Sequence, residues 1–263
     1  MKAKKVFLFG GIGNQLFQLT RAYQHLLDKK DVIVISFGTN SLIYKFLNLT
    51  QHKSWIDIRE LSTKIGIKYK RPSFIDIYFL IYIFIQKRVR KENSFDTIYS
   101  SDNNFPIDIG YFQSTKHVSI KAINKIADLL IEYLSIENQK PVNDFSIHIR
   151  GTMFDNALRE HMQFTTSVDS NKALEFAIKN NFQYKIVTNS KNESMQLFPS
   201  ALPHNYTNGQ DELDDFKYLC LSKNLFVSNS TFSFWALICS KKLHLKKYLL
   251  PEIFWFNDFF NDT

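Results

Sequence analysis

Ser146-Ile-His-Ile-Arg150-Gly151 sets an imidazole and a guanidinium two residues apart, immediately before a glycine. In an extended strand successive side chains alternate, so His148 and Arg150 share one face while Ile147 and Ile149 take the other. The carboxyl edge of an open α/β sheet is where ligands bind. There a guanidinium offers planar, paired donors that suit a phosphate. The competing reading is a buried salt bridge next to a satisfied core histidine.

Two further segments carry the same kind of chemistry. Three of the eight glycines lie in Gly10-Gly-Ile-Gly13. Glycine there lets the backbone turn sharply and lets a ligand approach a helix N-terminus, or it simply makes a tight turn. A dinucleotide fingerprint fails at two places, because its third glycine would fall at Leu16 and no acidic residue ends the next strand at Ser36-Phe37. In Val227-Ser-Asn229-Ser230-Thr231-Phe232-Ser-Phe-Trp235, small polar residues occupy the crossing from strand to helix. Ser230 or Thr231 can cap that helix, and the same amides and hydroxyls can receive an anion.

What is missing narrows the chemistry. None of the sixteen aspartates forms an Asp-x-Asp pair, and no His/Asp/Glu cluster has metal-ligand spacing. A diphosphate held through a metal ion is therefore disfavoured, which leaves Arg150 and helix N-termini to neutralise its charge. Neither a nucleophile elbow nor a phosphate-binding P-loop is present.

These residues need elements to position them. Lys5 to Phe9 is expected to be a short buried strand, followed by a helix with Leu16, Leu19, Tyr23, Leu26 and Leu27 on one face, then a strand at Val32–Ile35. That is one βαβ unit. Residues 40–110 give no clear pattern. Ile123, Ile126, Ala127, Leu130 and Leu134 define a second helical face, which ends in the polar stretch Glu137–Asn143. A second βα series follows. It comprises a strand at Phe145–Arg150, a helix near Ala173–Lys179, a strand at Tyr184–Thr188 and a helix at Leu213–Cys220. Then come a strand at Leu225–Ser228, a helix at Thr231–Ser240 and a last strand at Tyr248–Leu250. The expected fold class is α/β, with two Rossmann-like domains facing across a cleft, at residues 1–138 and 139–263.

Composition sets the outer bounds. The 263 residues are 44% hydrophobic and 22% charged, which excludes a disordered chain. Net charge is +8, but the cations come in scattered pairs without zinc-finger, basic-zipper or RNA-binding motifs, so nucleic acid is not the expected partner. Only four apolar residues, Val6–Phe9, follow the basic start, too few for a signal peptide. Cys220 and Cys239 fit a buried reduced pair in a cytoplasmic protein. Phe74 to Ile85 is a twelve-residue apolar stretch interrupted by Asp76 and followed by Lys87-Arg-Val-Arg-Lys91. It is too short to span a bilayer. It is expected either as a core helix or as a helix lying on an anionic membrane surface.

Taken in order, Gly10-Gly-Ile-Gly-Asn14-Gln15-Leu-Phe-Gln18, Gly110-Tyr-Phe-Gln-Ser114, His148-Ile-Arg150-Gly151 and the segment from Asp215 through Asn229-Ser-Thr-Phe-Ser-Phe-Trp235 resemble the alpha-1,2-fucosyltransferase family, glycosyltransferase family 11. The resemblance implies a GT-B-like fold and an inverting transfer of L-fucose from GDP-fucose that needs no metal or other cofactor. The acceptor would be a galactoside hydroxyl on an oligosaccharide or lipid-linked glycan of bacterial surface polysaccharide. The enzyme would be cytoplasmic or peripheral on the inner membrane face. The resemblance further implies that Arg150 holds the donor diphosphate with His148 beside it. Gly11, Gly13, Asn14, Gln15, Asn189, Asp215, Asn229, Ser230, Thr231 and Phe232 would complete the donor-binding residues. Asp155, Glu160 and His161 follow the motif closely and are the candidate bases, Asp155 foremost. Where the family continues His-x-Arg-Arg-Gly-Asp, this chain reads His148-Ile-Arg150-Gly151-Thr152-Met153. That departure keeps two alternatives open: a different GDP-deoxysugar such as colitose, or a catalytically silent sugar-binding homologue.

Overall fold

The computed structural model describes residues 3–36, 56–90, 99–101, 106–150, 167–199, 201–207, 211–252 and 254–260. The chain divides into two compact units. One is Met1–Leu129 together with Asp258–Thr263, and the other is Leu130–Asn257.

The first unit opens with β1 (Lys4–Leu8), α1 (Ile12–Leu27) and β2 (Val32–Ser36). β1 and β2 pair in parallel, with Lys4 opposite Val32 and Leu8 opposite Ser36. Val6, Phe7 and Leu8 are completely buried. Burial on both sheet faces is why this strand shows no polar alternation. The face of α1 differs from the expected one: Leu16 and Leu19 are buried, but Leu26 is exposed and His25 takes an interior place. The reason is electrostatic, since His25 bonds a buried carboxylate described below.

The region that gave no sequence pattern holds α2 (Ile58–Lys64), β3 (Lys68–Lys70), α3 (Phe74–Arg90), β4 (Tyr99–Ser101) and β5 (Ile107–Ile109). α4 (Ile120–Leu134) follows, with all five expected core residues buried. The sheet order is β3-β2-β1-β5-β4. All neighbours are parallel except β4 with β5. The division between units falls inside α4, ahead of the polar stretch 137–143.

The second unit carries β6 (Phe145–Ile149), α5 (Ser167–Lys179), β7 (Tyr184–Thr188), α6 (Lys191–Leu197), α7 (Glu212–Cys220), β8 (Asn224–Phe226), α8 (Thr231–Leu243) and β9 (Lys247–Leu249). Its sheet is fully parallel, in the order β7-β6-β8-β9. Phe145, Ile147 and Ile149 enter one core cluster with Ala173, Leu174, Ala177 and Phe226. Ser146 and His148 find polar partners instead, Ser222 and Ser228. The α/β class with two Rossmann-like units is thus the architecture observed.

Cys220 and Cys239 are buried thiols that form no disulfide. Burial, with a contact from Cys239, pushes the Cys220 thiol well above its ordinary pKa. A thiol held protonated in this way is unreactive.

Candidate functional site

In each sheet the chain adds strands on one side and then crosses to the other. The first unit runs β1, β2, β3 outward and returns with β5 on the opposite flank of β1. The second runs β6 to β7 and returns with β8 on the opposite flank of β6. At such a reversal the two connections leave in opposite directions and open a crevice at the strands' carboxyl ends. The sequence motifs sit at these two places.

At the second unit's reversal, β6 carries His148 and runs into Arg150, and β8 runs into Ser228, Asn229 and Ser230. His148 is buried, and its Nδ1 lies 2.7 Å from the Ser228 hydroxyl. Its ring stacks on Phe232 with centroids 5.6 Å apart, and Phe232 in turn meets Phe216 of α7 edge-on at 5.2 Å. Burial, and then the adjacent Arg150 charge, lower the His148 pKa to about 3. At neutral pH the imidazole is therefore uncharged, and the formal positive charge at this strand end belongs to the half-buried Arg150. Ser230 is the N-cap of α8, its hydroxyl accepting the Phe232 N–H at 3.3 Å. The thirteen residues of α8 direct the positive end of their aligned dipoles toward this turn. Asn229 is buried, and its Oδ1 accepts the Trp255 N–H at 3.0 Å, which fixes the turn from behind. Together these groups form a strand end and a helix start that favour a negative charge between them.

The other sequence candidates of this unit lie around that centre. Thr231 and Phe232 begin α8. Asn189 is exposed just beyond β7, the strand that flanks β6 on its other side. Asp215 sits on α7 beside Phe216. Burial raises its pKa, Asp214, Asp211 and Glu212 add to the effect, and Thr207 opposes it. Gly151, Asp155, Glu160 and His161 lie outside the described residues. Ser228 and Phe216 were not singled out as site residues from sequence. Ser228 stands in the same polar turn as Asn229, whereas nothing in the sequence marks Phe216.

At the first unit's reversal the groups are neutral amides. Gly10 has φ +80°, and a Cβ there would come 2.9 Å from the Asn14 amide nitrogen, so the turn requires glycine. Gly11 is the N-cap of α1 and brings no side-chain cap, and Gly13 is buried in the first turn. Gln15 Nε2 donates to the Gly10 carbonyl at 2.9 Å. Asn14 Oδ1 accepts from Gln113 at 2.9 Å. The fully buried Gln18 links both strand ends: its Oε1 accepts the Phe9 N–H at 2.9 Å and its Nε2 donates to the Gly110 carbonyl at 3.0 Å. The Phe9 and Tyr111 rings meet at 5.2 Å. The motifs Gly10–Gln18 and Gly110–Ser114 are thus one structure.

Behind that turn Asp108 of β5 is completely buried. It meets Lys4 at 2.7 Å, Arg21 at 2.9 Å and His25 at 2.6 Å. Arg21 also donates to the His117 carbonyl at 2.7 Å. The cluster ties α1 to β5 and so holds the amide-lined turn in place. Among the described residues no three His, Cys, Asp or Glu side chains gather as a metal site.

No family model matches the chain, and no curated protein does. Among solved structures, the fucosyltransferase NodZ from Bradyrhizobium aligns at 14% identity over 90% of this chain and 93% of that one, with a TM-score of 0.46. POFUT1 in complex with GDP-fucose aligns at 9% identity over 95% and 99%, with a TM-score of 0.40. POFUT1 in complex with GDP aligns at 11% identity over 95% and 99%, with a TM-score of 0.38.

Proposed function

We propose that the protein is an inverting glycosyltransferase that takes a deoxysugar from a GDP-linked donor, with L-fucose as the first choice. The observation that carries this reading is a buried, neutral His148 that meets Ser228 and Phe232 at the start of α8, with the Arg150 charge acting on it, at the second unit's strand reversal. Inverting transfer needs an acceptor hydroxyl in line with the anomeric carbon, a base for its proton and stabilisation of the departing diphosphate. Arg150 can grip the diphosphate with paired donors, and the α8 dipoles add a second source of positive potential. These two together stand in for a metal ion. Neutral His148 holds Ser228 and Phe232 in position. In this reading the second unit binds the donor and the first, with its amide-lined turn, serves the acceptor side. Asp155 is the proposed base. The specific assignment to an alpha-1,2 linkage on a galactoside of a surface polysaccharide rests on the motif resemblance.

The altered run His148-Ile-Arg150-Gly151-Thr152-Met153 favours a second reading, a different GDP-deoxysugar such as colitose or a silent sugar-binding homologue. A panel of labelled GDP-sugars offered with candidate oligosaccharides separates these readings. Transfer from one donor names it, and binding without transfer identifies the silent homologue. GDP itself should raise the melting temperature without added divalent metal. Binding to the native state alone contributes about 2.7 kcal/mol at about 100 times Kd. A shift that a chelator abolishes would overturn the metal-free mechanism.

A further inference from the structure

The helix α3 turns two different faces to its surroundings. Asp76, Leu80 and Ile83 point inward and are buried, Leu80 and Ile83 in the core beneath β1, β2 and β5. On the opposite side Phe74 is 91% exposed, Ile75 68%, Tyr78 74% and Tyr82 51%. Spacings of four place Phe74, Tyr78 and Tyr82 on one stripe. Four of the eleven exposed large apolar side chains among the described residues therefore lie together on one helix, while the other seven are scattered. Scattered ones are ordinary surface, and a contiguous group marks a contact.

The orientation of the stripe is anchored. Ser73 and Asp76 form a reciprocal cap at the helix start: Ser73 N–H donates to Asp76 at 2.9 Å, and Asp76 N–H donates to the Ser73 hydroxyl at 3.3 Å. Lys5 of β1 holds the same carboxylate at 2.5 Å. Burial opposes the charge, but the Lys5 and Ser73 bonds prevail and keep the Asp76 pKa below its ordinary value. With Asp76 pinned inward, the aromatic stripe must face out.

Cations stand at both ends of this helix. Exposed Lys68, Lys70 and Arg71 precede it, and Lys87, Arg88 and Arg90 occupy its last turn in sequence. We propose that α3 is a docking surface for an anionic lipid bilayer, lying flat with Phe74, Ile75, Tyr78 and Tyr82 in the headgroup region. Tyr and Phe suit that boundary because they join an apolar body to a polar or polarisable rim. The exposed cations Lys68, Lys70 and Arg71 at its start match a plane of anionic headgroups. A second copy of this chain fits less well, since packing two such helices side by side in parallel would bring Lys68, Lys70 and Arg71 against the same cations of the other copy. No helix among the described residues is long and apolar enough to cross a membrane, so contact is lateral. The inference does not rest on the transferase reading, because its test measures vesicle binding.

The test is flotation of the full chain with phosphatidylcholine vesicles, with and without phosphatidylglycerol, at low and high salt. The protein should float with the anionic vesicles alone, and salt should weaken the binding. Phe74→Ser with Tyr78→Ser should lower vesicle affinity at least about tenfold with an unchanged melting temperature. Lys68→Glu, Lys70→Glu and Arg71→Glu together should lower it by at least as much. Equal flotation of the wild type and the Phe74→Ser/Tyr78→Ser variant would overturn the proposal. So would failure of the wild type to bind anionic vesicles, or a dimer in sedimentation that the double variant abolishes while no vesicle is bound.

Discussion

Between the ends of β1 and β5 the side chains are neutral amides, Asn14, Gln15, Gln18 and Gln113, most of them bonded to nearby backbone or to each other. Between the ends of β6 and β8 stand Arg150, a buried imidazole and a helix start capped by Ser230. Both pairs of strands occupy the same place in their sheets. Topology decides where a crevice opens, and the residues that reach it decide what can be received. Amides without net charge suit hydroxyl-bearing partners, and a guanidinium beside a helix N-terminus suits a phosphate. The cations nearest the first unit's turn, Lys4 and Arg21, are directed instead to the buried Asp108.

Arg150→Ala gives the sharpest break in this contrast. It should reduce sugar transfer by about 10²–10³, the scale of losing one charge-stabilising donor. GDP-sugar affinity should fall too, because the diphosphate is present before and after transfer. Arg150→Lys should recover only part, since a point charge cannot reproduce the paired fork. Kinetics and melting curves on both variants check this. Unchanged turnover in a well-folded Arg150→Ala would remove the functional difference between the two reversals.

Next in size is Gln18→Leu. It strips partners from a buried N–H and a buried carbonyl, each costing about 1–3 kcal/mol when left unpaired. Denaturant titration should show that loss. GDP affinity should stay near wild type, because the second unit keeps all its own contacts. A Gln18→Leu protein that is fully stable would mean the amide bridge does not hold the turn.

A smaller effect belongs to His148 and depends on pH. Its pKa is about 3 in the folded protein against an ordinary 6.5. Between those values the unfolded chain binds more protons, so stability falls as pH drops below about 6.5, at up to about 1.4 kcal/mol per unit. His148→Asn cannot take up that proton and should flatten the acid limb relative to wild type. Parallel unfolding curves across that window for the two proteins would show that the imidazole is not held neutral.

Much of this was legible where the pattern is local. The glycine turn between β1 and α1, the core face of α4 and the alternation along β6 all depend on neighbours within a few residues. The core face of Phe145, Ile147 and Ile149 and the polar face of Ser146 and His148 therefore follow from spacing alone. What escaped depends on distant partners. β3, β4 and β5 are three residues long and exist because they pair with strands or one another across the chain. Gln18 looks like a solvent-facing helix residue until the Gly110 carbonyl, 92 positions away, is placed beside it. Leu26 fitted the apolar face of α1, yet His25 is buried there because Asp108 lies 83 residues further on. The stripe on α3 was visible as apolar content, but Asp76 decides which half of it turns outward.

Phe259 is buried against Phe17, with ring centroids 6.0 Å apart, and the segment from Asp258 groups with the first unit. During synthesis on the ribosome the first unit therefore lacks part of its interior until Phe259 has emerged. Expression of residues 1–138 alone would yield a fragment with an open apolar slot over α1, prone to association. Removal of the chain beyond Asn257 should be felt at the far end of the sequence, in the packing behind Gly10–Gly13.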